Sequence, residues 1–472
     1  MKKIQNNLLD QLKQILGPKG WISAKDEKIP YLTDQRGQYE SKTPLILLPE
    51  STKVVSSILE FCHEYEVPVV PQGGNTGLVG GSICGMEKEE ILINLEKLNK
   101  VRDISLDDST LIVESGLKLS DVQNVARSNK RIFPLSLASE GSCQIGGNLA
   151  TNAGGINVVK YGNVRDLVLG LEVVLPDGSI WNGLKSIKKD NTGYDLKNLF
   201  LGSEGTLGII TAAALKLFIP SHVSITCLVS VPNIDTAINI FSSFQNECAD
   251  SISSFEFFSD FALNLVLNNI SNTKRPMKKN YEWYVLIEAG SSIKGPPIKE
   301  VLENTFSKIL SEHLIGDAVI AQNEDQKNSL WKLRESIPAA QKIEGISIKH
   351  DISIPITHLA NFFDEISKTL YQLMPKCRPC IFGHLGDGNV HYNIHPPHGY
   401  SIKKFKNFSK KINTLLYDTT SKFNGSISGE HGIGYSKKDD ILKYKSETEI
   451  LLMKKIKKAL DPKKILNPGK II

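Results

Sequence analysis

The sequence predicts an α+β protein built from several structural units, and three observations carry that expectation. The chain has 472 residues, which at about 150 residues per domain corresponds to about three units. Up to about residue 219, short apolar runs alternate with amphipathic helices, and glycine-rich loops interrupt them. Beyond it, strand-like and helix-like stretches mix as one antiparallel sheet with helices on one face would require. Hydrophobic residues make up 40 % and glycines number 36, both near globular averages. A disordered chain, a collagen and a small disulfide scaffold are thereby excluded.

The elements follow in order. Residues 1–37 form a helical segment; its start, MKKIQNNLLDQLKQIL, is interrupted by Asn, Asp and Gln and lacks the apolar stretch of a targeting signal. Residues 44–48 (PLILL) read as a buried strand. Val54, Val55, Ile58, Leu59 and Cys62 then recur at helical spacing, with Ser51 or Thr52 as cap. Further strands are expected at 67–70, 111–113 and 169–175, and Pro176-Asp177-Gly178 forms a turn between two strands. In the region 220–425, strands at 225–231, 284–288 and 347–354 alternate with helices at 233–247, 298–313 and 323–343, with Gly295-Pro296-Pro297 as a loop. The segment 426–472 places glycine- and proline-rich pieces around a helix at 446–460. Domains are therefore expected at 38–219, 220–425 and 426–472. The longest uncharged apolar stretch, 207–215, is too short to span a bilayer.

Charge and cysteine content narrow the class. Fifty-six basic and 51 acidic residues leave a net charge of +5, with no block of like charges to bind nucleic acid. Only eight of the bases are Arg. Seven scattered cysteines argue for a reducing compartment, hence a cytoplasmic protein. Cys377 and Cys380 form a C-x-x-C with no thioredoxin-like pattern beside it, and read as ordinary thiols.

Three glycine clusters point to a large cofactor lying along backbone. The first, 71–82 (PQGGNTGLVGGS), follows a strand but has neither the G-x-G-x-x-G spacing nor the Gly-Lys-Ser/Thr ending of the standard nucleotide loops. Its backbone N–H groups could still converge on a pyrophosphate. Its candidate contacts are Pro71, Gly73, Gly74, Asn75, Thr76, Gly77 and Ser82. A tight buried turn cluster is the competing reading. The second, 145–155 (IGGNLATNAGG), offers Gly146, Gly147, Thr151, Asn152, Gly154 and Gly155. The third, 202–211 (GSEGTLGIIT), offers Gly205 and Ile209.

Residues 383–391 (GHLGDGNVH) suggest a metal hairpin. With Asp387-Gly388 at the turn, His384 faces His391 across the strands and Asn393 shares their face. Glu430 and His431, in SGEHGIG, are the candidates to complete the site: one ligand and one base. Two His and a carboxylate leave Zn²⁺ an open position, and the same set could hold Mn²⁺ or Fe²⁺. A polar cross-strand pair without metal is the alternative. His395 lies on the same strand face and is left out. Arg334, among apolar neighbours in LWKLRESIP, and Lys349, in SIKHDISIP, are candidate cations for an acidic substrate; a solvated charge or a salt bridge is the competing reading for each.

These motifs, with KDNTGYDLKNLFLGSEGTLGIIT at 189–211 and LNPGK at 466–470, resemble the vanillyl-alcohol-oxidase-type, FAD-linked oxidase family, over roughly residues 40–472. The resemblance implies a PCMH-type FAD-binding domain of two α/β subdomains. It adds a ferredoxin-like antiparallel-sheet substrate (cap) domain and a C-terminal segment returning to the FAD domain, whose Asn467 reaches the flavin. Asn75 stands where some members carry a flavin-bonded His, which implies non-covalent FAD. GHLGDGNVH and GEHGIG resemble the metal-dependent D-2-hydroxyacid dehydrogenase branch. In that branch the positions of His384, His391 and Glu430 bind zinc, that of His431 takes the hydroxyl proton, and that of Asn393 touches substrate. K-x-D-I-S-I-P resembles the D-2-hydroxyglutarate branch, where the positions of Arg334 and Lys349 bind the distal carboxylate. A Thr that assists them there is Pro338 here, so D-lactate, D-malate or glycolate stays open as the substrate. A non-catalytic flavin-binding subunit and a zinc hydrolase are the rival functions. The implied partners are a small 2-hydroxyacid and an electron acceptor such as an electron-transfer flavoprotein or a quinone. No nucleic acid is implied, and a homodimer is allowed for.

Overall fold

The computed structural model describes residues 3–86, 88–293 and 297–472. Two units emerge: Met1–Gly154, Asn163–Ile219 and His431–Ile472 form one, Gly155–Gly162 and Pro220–Glu430 the other.

The first unit contains two sheets. In one, strands Trp21–Ile22, Ile46–Leu47, Ile91–Asn94 and Val69–Gln72 lie side by side in that order, the last three parallel. Parallel strands are covered on both faces, which is why these runs are continuously apolar rather than alternating. The helix Thr52–Glu64 starts where the Ser51 side chain accepts the Val54 N–H, and buries Val55, Ile58, Leu59 and Cys62. Leu12 of the helix Asn6–Leu16 joins the same core. The other sheet is antiparallel, ordered Val101–Ser105, Thr110–Glu114, Ile209–Lys216, Val168–Val174 and Ile180–Gly183. The Pro-Asp-Gly turn links its last two strands, with Gly178 at φ +87°. The apolar stretch at 207–215 supplies the central strand of this sheet.

The C-terminal segment closes on this unit. Ser446 and Glu449 form a capping box that starts the helix Glu447–Leu460. Beyond it the chain runs parallel to the edge strand Val69–Gln72, pairing Leu466 with Val69. Asp461, fully buried, holds the turn between them: its carboxylate accepts from the N–H of Ile465 and Leu466 and from Lys457 Nζ.

The second unit carries one seven-stranded sheet, ordered Asp317–Ile320, Val223–Val231, Trp283–Ser291, Ile252–Ser259, Arg378–His384, Asn389–His395 and Ile352–Ser353, antiparallel throughout. Its first four strands have the ferredoxin-like order: fourth, first, third, second. The hairpin Arg378–His384/Asn389–His395 extends that sheet, so the His-bearing strands are bonded directly to its core.

Three sequence expectations change here. The single helix expected at 323–343 is two, Glu324–Glu335 and Ile337–Glu344. Pro338 has no N–H to donate to the Arg334 carbonyl, so the first helix's ladder stops there, while a proline at the first turn is well tolerated and opens the next helix. The strand expected at 347–354 shrinks to Ile352–Ser353, with an isolated bridge between Ile348 and Ile394. The strand Ile252–Ser259, not anticipated, occupies the middle of the sheet. Gly295 and Pro296 of the expected loop lie outside the described residues, and Pro297 opens the helix Pro297–Glu312.

All seven cysteines are free. Burial pushes the Cys377 thiol up to about 11 and raises Cys380 further, so neither has thiolate character near neutral pH. Among the described residues no helix is long and apolar enough to cross a membrane. Replacing Asp461 by Ala would strand Lys457, whose side chain is only 17 % exposed, without its counter-charge. The expected cost is about 3–5 kcal/mol, read as a lowered melting temperature of the holoprotein by calorimetry.

Candidate functional site

In the first unit the three glycine clusters pack on one another. The first loop leaves the strand Val69–Gln72 at Gly73 and Gly74, which lie against residues 142–147, where the chain enters the second cluster. Gly205, at φ +69°, sits where a Cβ would collide with the Pro71 ring, so this crossing of the third cluster over the first requires glycine. Asn75, at φ +53°, donates from Nδ2 to the Thr33 carbonyl at 2.8 Å, and its Oδ1 accepts from Ser82 Oγ at 3.0 Å. Two of the three side chains expected to offer donors to a ligand, Asn75 and Ser82, are thus engaged with the protein itself. Thr76 is half-buried beside Gly77, which is exposed. Gly146 and Gly147 belong to the helix Ile145–Ala150. Thr151 Oγ1 donates to the Gly147 carbonyl, and Asn152 Oδ1 accepts the Arg165 N–H. Ile209 points into the hydrophobic core. Gly154 ends the first stretch of this unit; Gly155 begins the second unit.

Asn467 joins these loops. Its Nδ2 donates to the carbonyls of Gly81 at 2.9 Å and Glu204 at 2.7 Å, and its own N–H to the Val69 carbonyl. Glu204 in turn accepts the N–H groups of Ile433 and Gly434. Burial raises its carboxyl above the usual range, although those two N–H groups oppose the shift. Gln144 Oε1, Asn148 Oδ1 and Asn467 Oδ1 are buried without a hydrogen-bond partner among the described residues. Three buried acceptors beside open glycine backbone fit a ligand that carries hydroxyl and N–H donors, as FAD does.

The second unit brings His384, His391 and Glu430 together. Register differs from the expectation: His384 pairs with Asn389, and His391 with Phe382. The turn is a short 3-10 segment, Leu385–Asp387, closed by Gly388 at φ +75°, so its centre sits one residue earlier than expected. That moves the pairing by two positions. Because side chains alternate with period two, both rings stay on one face, now diagonal, with centroids 6.0 Å apart. His384 Nε2 lies 3.6 Å from one Glu430 oxygen and His391 Nε2 3.7 Å from the other. The ligand atoms of the three residues all lie within 4.8 Å of one another.

Two carboxylates that the sequence reading did not name as site residues back this triad. Glu256, directly opposite His384 in the next strand, contacts His384 Nδ1 at 2.6 Å and Arg334 at 2.7 Å. Asp351 lies 3.9 Å from His391 Nδ1, accepts the Glu430 N–H at 2.9 Å and accepts from Asn389 Nδ2 at 2.8 Å. Gly429 passes so close to Asn389 Nδ2 that a Cβ could not fit, which permits Glu430 to enter. Glu430 Oε1 also accepts the Gly155 N–H at 2.7 Å. Burial opposes charge on His384, but Glu256 and Glu430 outweigh it and hold the ring up at about 9. Burial lifts Asp387 to about 6. Carboxylates outnumber cations here, each imidazole has a carboxylate beside Nδ1, and both Nε2 atoms face one carboxylate. This donor set fits a divalent cation.

The other candidates are placed as follows. Arg334 is buried, lies over the Phe382 ring at 5.0 Å, and its Nε has no partner among the described residues. Asn393 shares the face of His391 and is tied to His350 N and Gln341. Lys349 is exposed, yet its charge is felt by Cys380 and His395. His431 is half-buried and opens the C-terminal stretch of the first unit. An acidic residue inside an aromatic strand (SSFEFFS) was the available signal for Glu256, since a lone charge there needs a buried partner.

Residues 220–471 match the family model described as FAD linked oxidases, C-terminal domain, and residues 43–183 match the FAD binding domain model. The chain is 38 % identical over 461 residues to the mitochondrial D-2-hydroxyglutarate dehydrogenase of Arabidopsis thaliana, covering 98 % of this chain and 80 % of that protein. It is 37 % identical over 426 residues to the D-2-hydroxyglutarate dehydrogenase of Xanthomonas citri pv. viticola, covering 90 % and 88 %. Among solved structures, p-cresol methylhydroxylase with substrate bound shares the fold, with a TM-score of 0.79 at 15 % identity over 99 % of this chain and 96 % of that one. Replacing Asn467 by Ala removes the two bonds that hold the first and third clusters together. The expected result is less flavin retained per chain after gel filtration, measured from the ratio of flavin to protein absorbance.

Proposed function

Since the chain belongs to the FAD-linked oxidase family and is an FAD-linked oxidoreductase acting on a CH–OH donor, we propose that it oxidises D-2-hydroxyglutarate to 2-oxoglutarate with the help of a divalent metal, preferentially zinc. The convergence of His384, His391 and Glu430 beside the Arg334–Glu256 pair is the observation that carries this reading.

The chemistry that FAD supplies when bound is two-electron acceptance. A divalent ion on His384, His391 and Glu430 would supply Lewis acidity at the substrate's carboxylate and hydroxyl. The remaining work falls to side chains of this chain. Glu256 and Asp351 fix the imidazoles so that Nε2 of each faces inward. Asn393, two positions beyond His391 on the same face, holds the substrate, and its own orientation is set by His350 N and Gln341. Arg334 and Lys349 bind the carboxylate remote from the reacting carbon and so orient C2. His431 accepts the hydroxyl proton, as an imidazole does well near neutral pH. An electron-transfer flavoprotein or a quinone would serve as the electron acceptor. A D-2-hydroxyacid without a second carboxylate, such as D-lactate, is the second reading, favoured by Pro338, which offers no donor at the start of its helix.

Anaerobic mixing of the holoprotein with D-2-hydroxyglutarate, its L isomer, D-lactate and D-malate tests this. Flavin absorbance is expected to bleach fastest with D-2-hydroxyglutarate, to stop bleaching after chelation, and to recover on adding Zn²⁺. Bleaching unaffected by chelation would remove the metal from the reading, and preference for D-lactate would move the substrate to the second one. Replacing His431 by Asn should lower the reduction rate about 10²–10⁴-fold without releasing flavin; near-normal rates across pH would withdraw its role as base.

A further inference from the structure

We propose that Gln341 is a specificity residue of this site, donating from its side-chain amide to the second carboxylate of a dicarboxylic D-2-hydroxyacid; the inference rests on the substrate reading above. Gln341 belongs to a hydrogen-bond network whose polarity is forced. The His350 backbone N–H can only donate, so the Asn393 amide must turn its oxygen toward it, at 3.0 Å. Asn393 Nδ2 is then the group facing Gln341, and Gln341 must present its oxygen, also at 3.0 Å. The two bonds fix the orientation of the Gln341 amide and leave Nε2 on the far side.

That nitrogen is buried and has no hydrogen-bond partner among the described residues, in a side chain only 1 % exposed. A buried amide donor without an acceptor is costly, so its retention points to an acceptor that arrives with a ligand. Its position identifies the acceptor. Gln341 lies against Asn393, two residues along the strand from His391, a separation of about 7 Å. A substrate anchored by its hydroxyl and first carboxylate near His391 would bring the far end of a five-carbon chain toward this donor. Arg334 Nε, a second buried donor without a partner among the described residues, belongs to the preceding helix. Pro338 supplies the geometry: it ends one helix and starts the next, and Gln341 follows three residues later on the same face.

The test compares D-2-hydroxyglutarate with D-2-hydroxyvalerate, which has the same carbon chain and no second carboxylate, in wild-type holoenzyme and in the Q341L and Q341E variants. Q341E keeps an oxygen toward Asn393 and replaces the donor by a negative charge. Flavin content and melting temperature establish that each variant is folded. The expected result is a fall of about 10- to 100-fold in the ratio of kcat/KM for D-2-hydroxyglutarate over D-2-hydroxyvalerate in both variants, larger in Q341E, with KM for the dicarboxylate carrying most of it. Equal losses on both substrates would mean that Gln341 acts only by holding Asn393, and would overturn the proposal. So would an unchanged ratio. A wild-type enzyme indifferent to the second carboxylate would instead overturn the substrate reading itself, visibly before any variant is made.

Discussion

The candidate centre of the second unit depends on one buried carboxylate. Glu256 stands in the middle of the sheet, opposite His384, and one oxygen contacts that imidazole while the other contacts Arg334. Burying a carboxylate among phenylalanines is affordable only if cations meet it there. Glu256 therefore ties two functions to one group: it sets the orientation of a metal-ligand candidate and immobilises the guanidinium beside it. The aromatic strand that carries it supplies the rigidity, since Phe255, Phe257 and Phe258 are fully buried on either side. The same logic repeats more loosely at His391, where Asp351 supports one imidazole and at the same time receives the backbone of Glu430.

The first unit solves a different problem, that of holding three flexible loops at close quarters. Glycine permits the approach, but it does not by itself specify it. The specification comes from groups that the loops share: Asn467 bonded to the first and third clusters, Glu204 bonded to the N–H groups of Ile433 and Gly434, and Gly205 laid over Pro71. The loops pack tightly on one another, and the same packing leaves three buried acceptors without a hydrogen-bond partner among the described residues.

Much of the site was legible because its chemistry is local. Two histidines on one strand pair, and a Glu-His between glycines, announce themselves through residue type and spacing. The hairpin register was misjudged, yet the shared face survived, because an error of one residue in the turn centre moves the pairing by two. The helix at 323–343 illustrates the opposite case: its periodicity is continuous, and a single proline breaks it. Gln341 owes its place to that break, and nothing in its sequence neighbourhood marks it.

By itself the sequence determined the α+β character, the strand and helix runs with strong periodicity, the glycine loops and the identity of the polar residues proposed as cation ligands. These are properties of single segments, set by side-chain period and backbone freedom within a few residues. Tertiary structure alone decided which carboxylates stand behind the imidazoles, how the seven strands are ordered, and which amide donor is left without an acceptor among the described residues. Each of these is a contact between segments far apart in the chain, such as Glu256 with His384 and Gln341 with Asn393. Such contacts follow from how the sheet is assembled, and no local pattern encodes them.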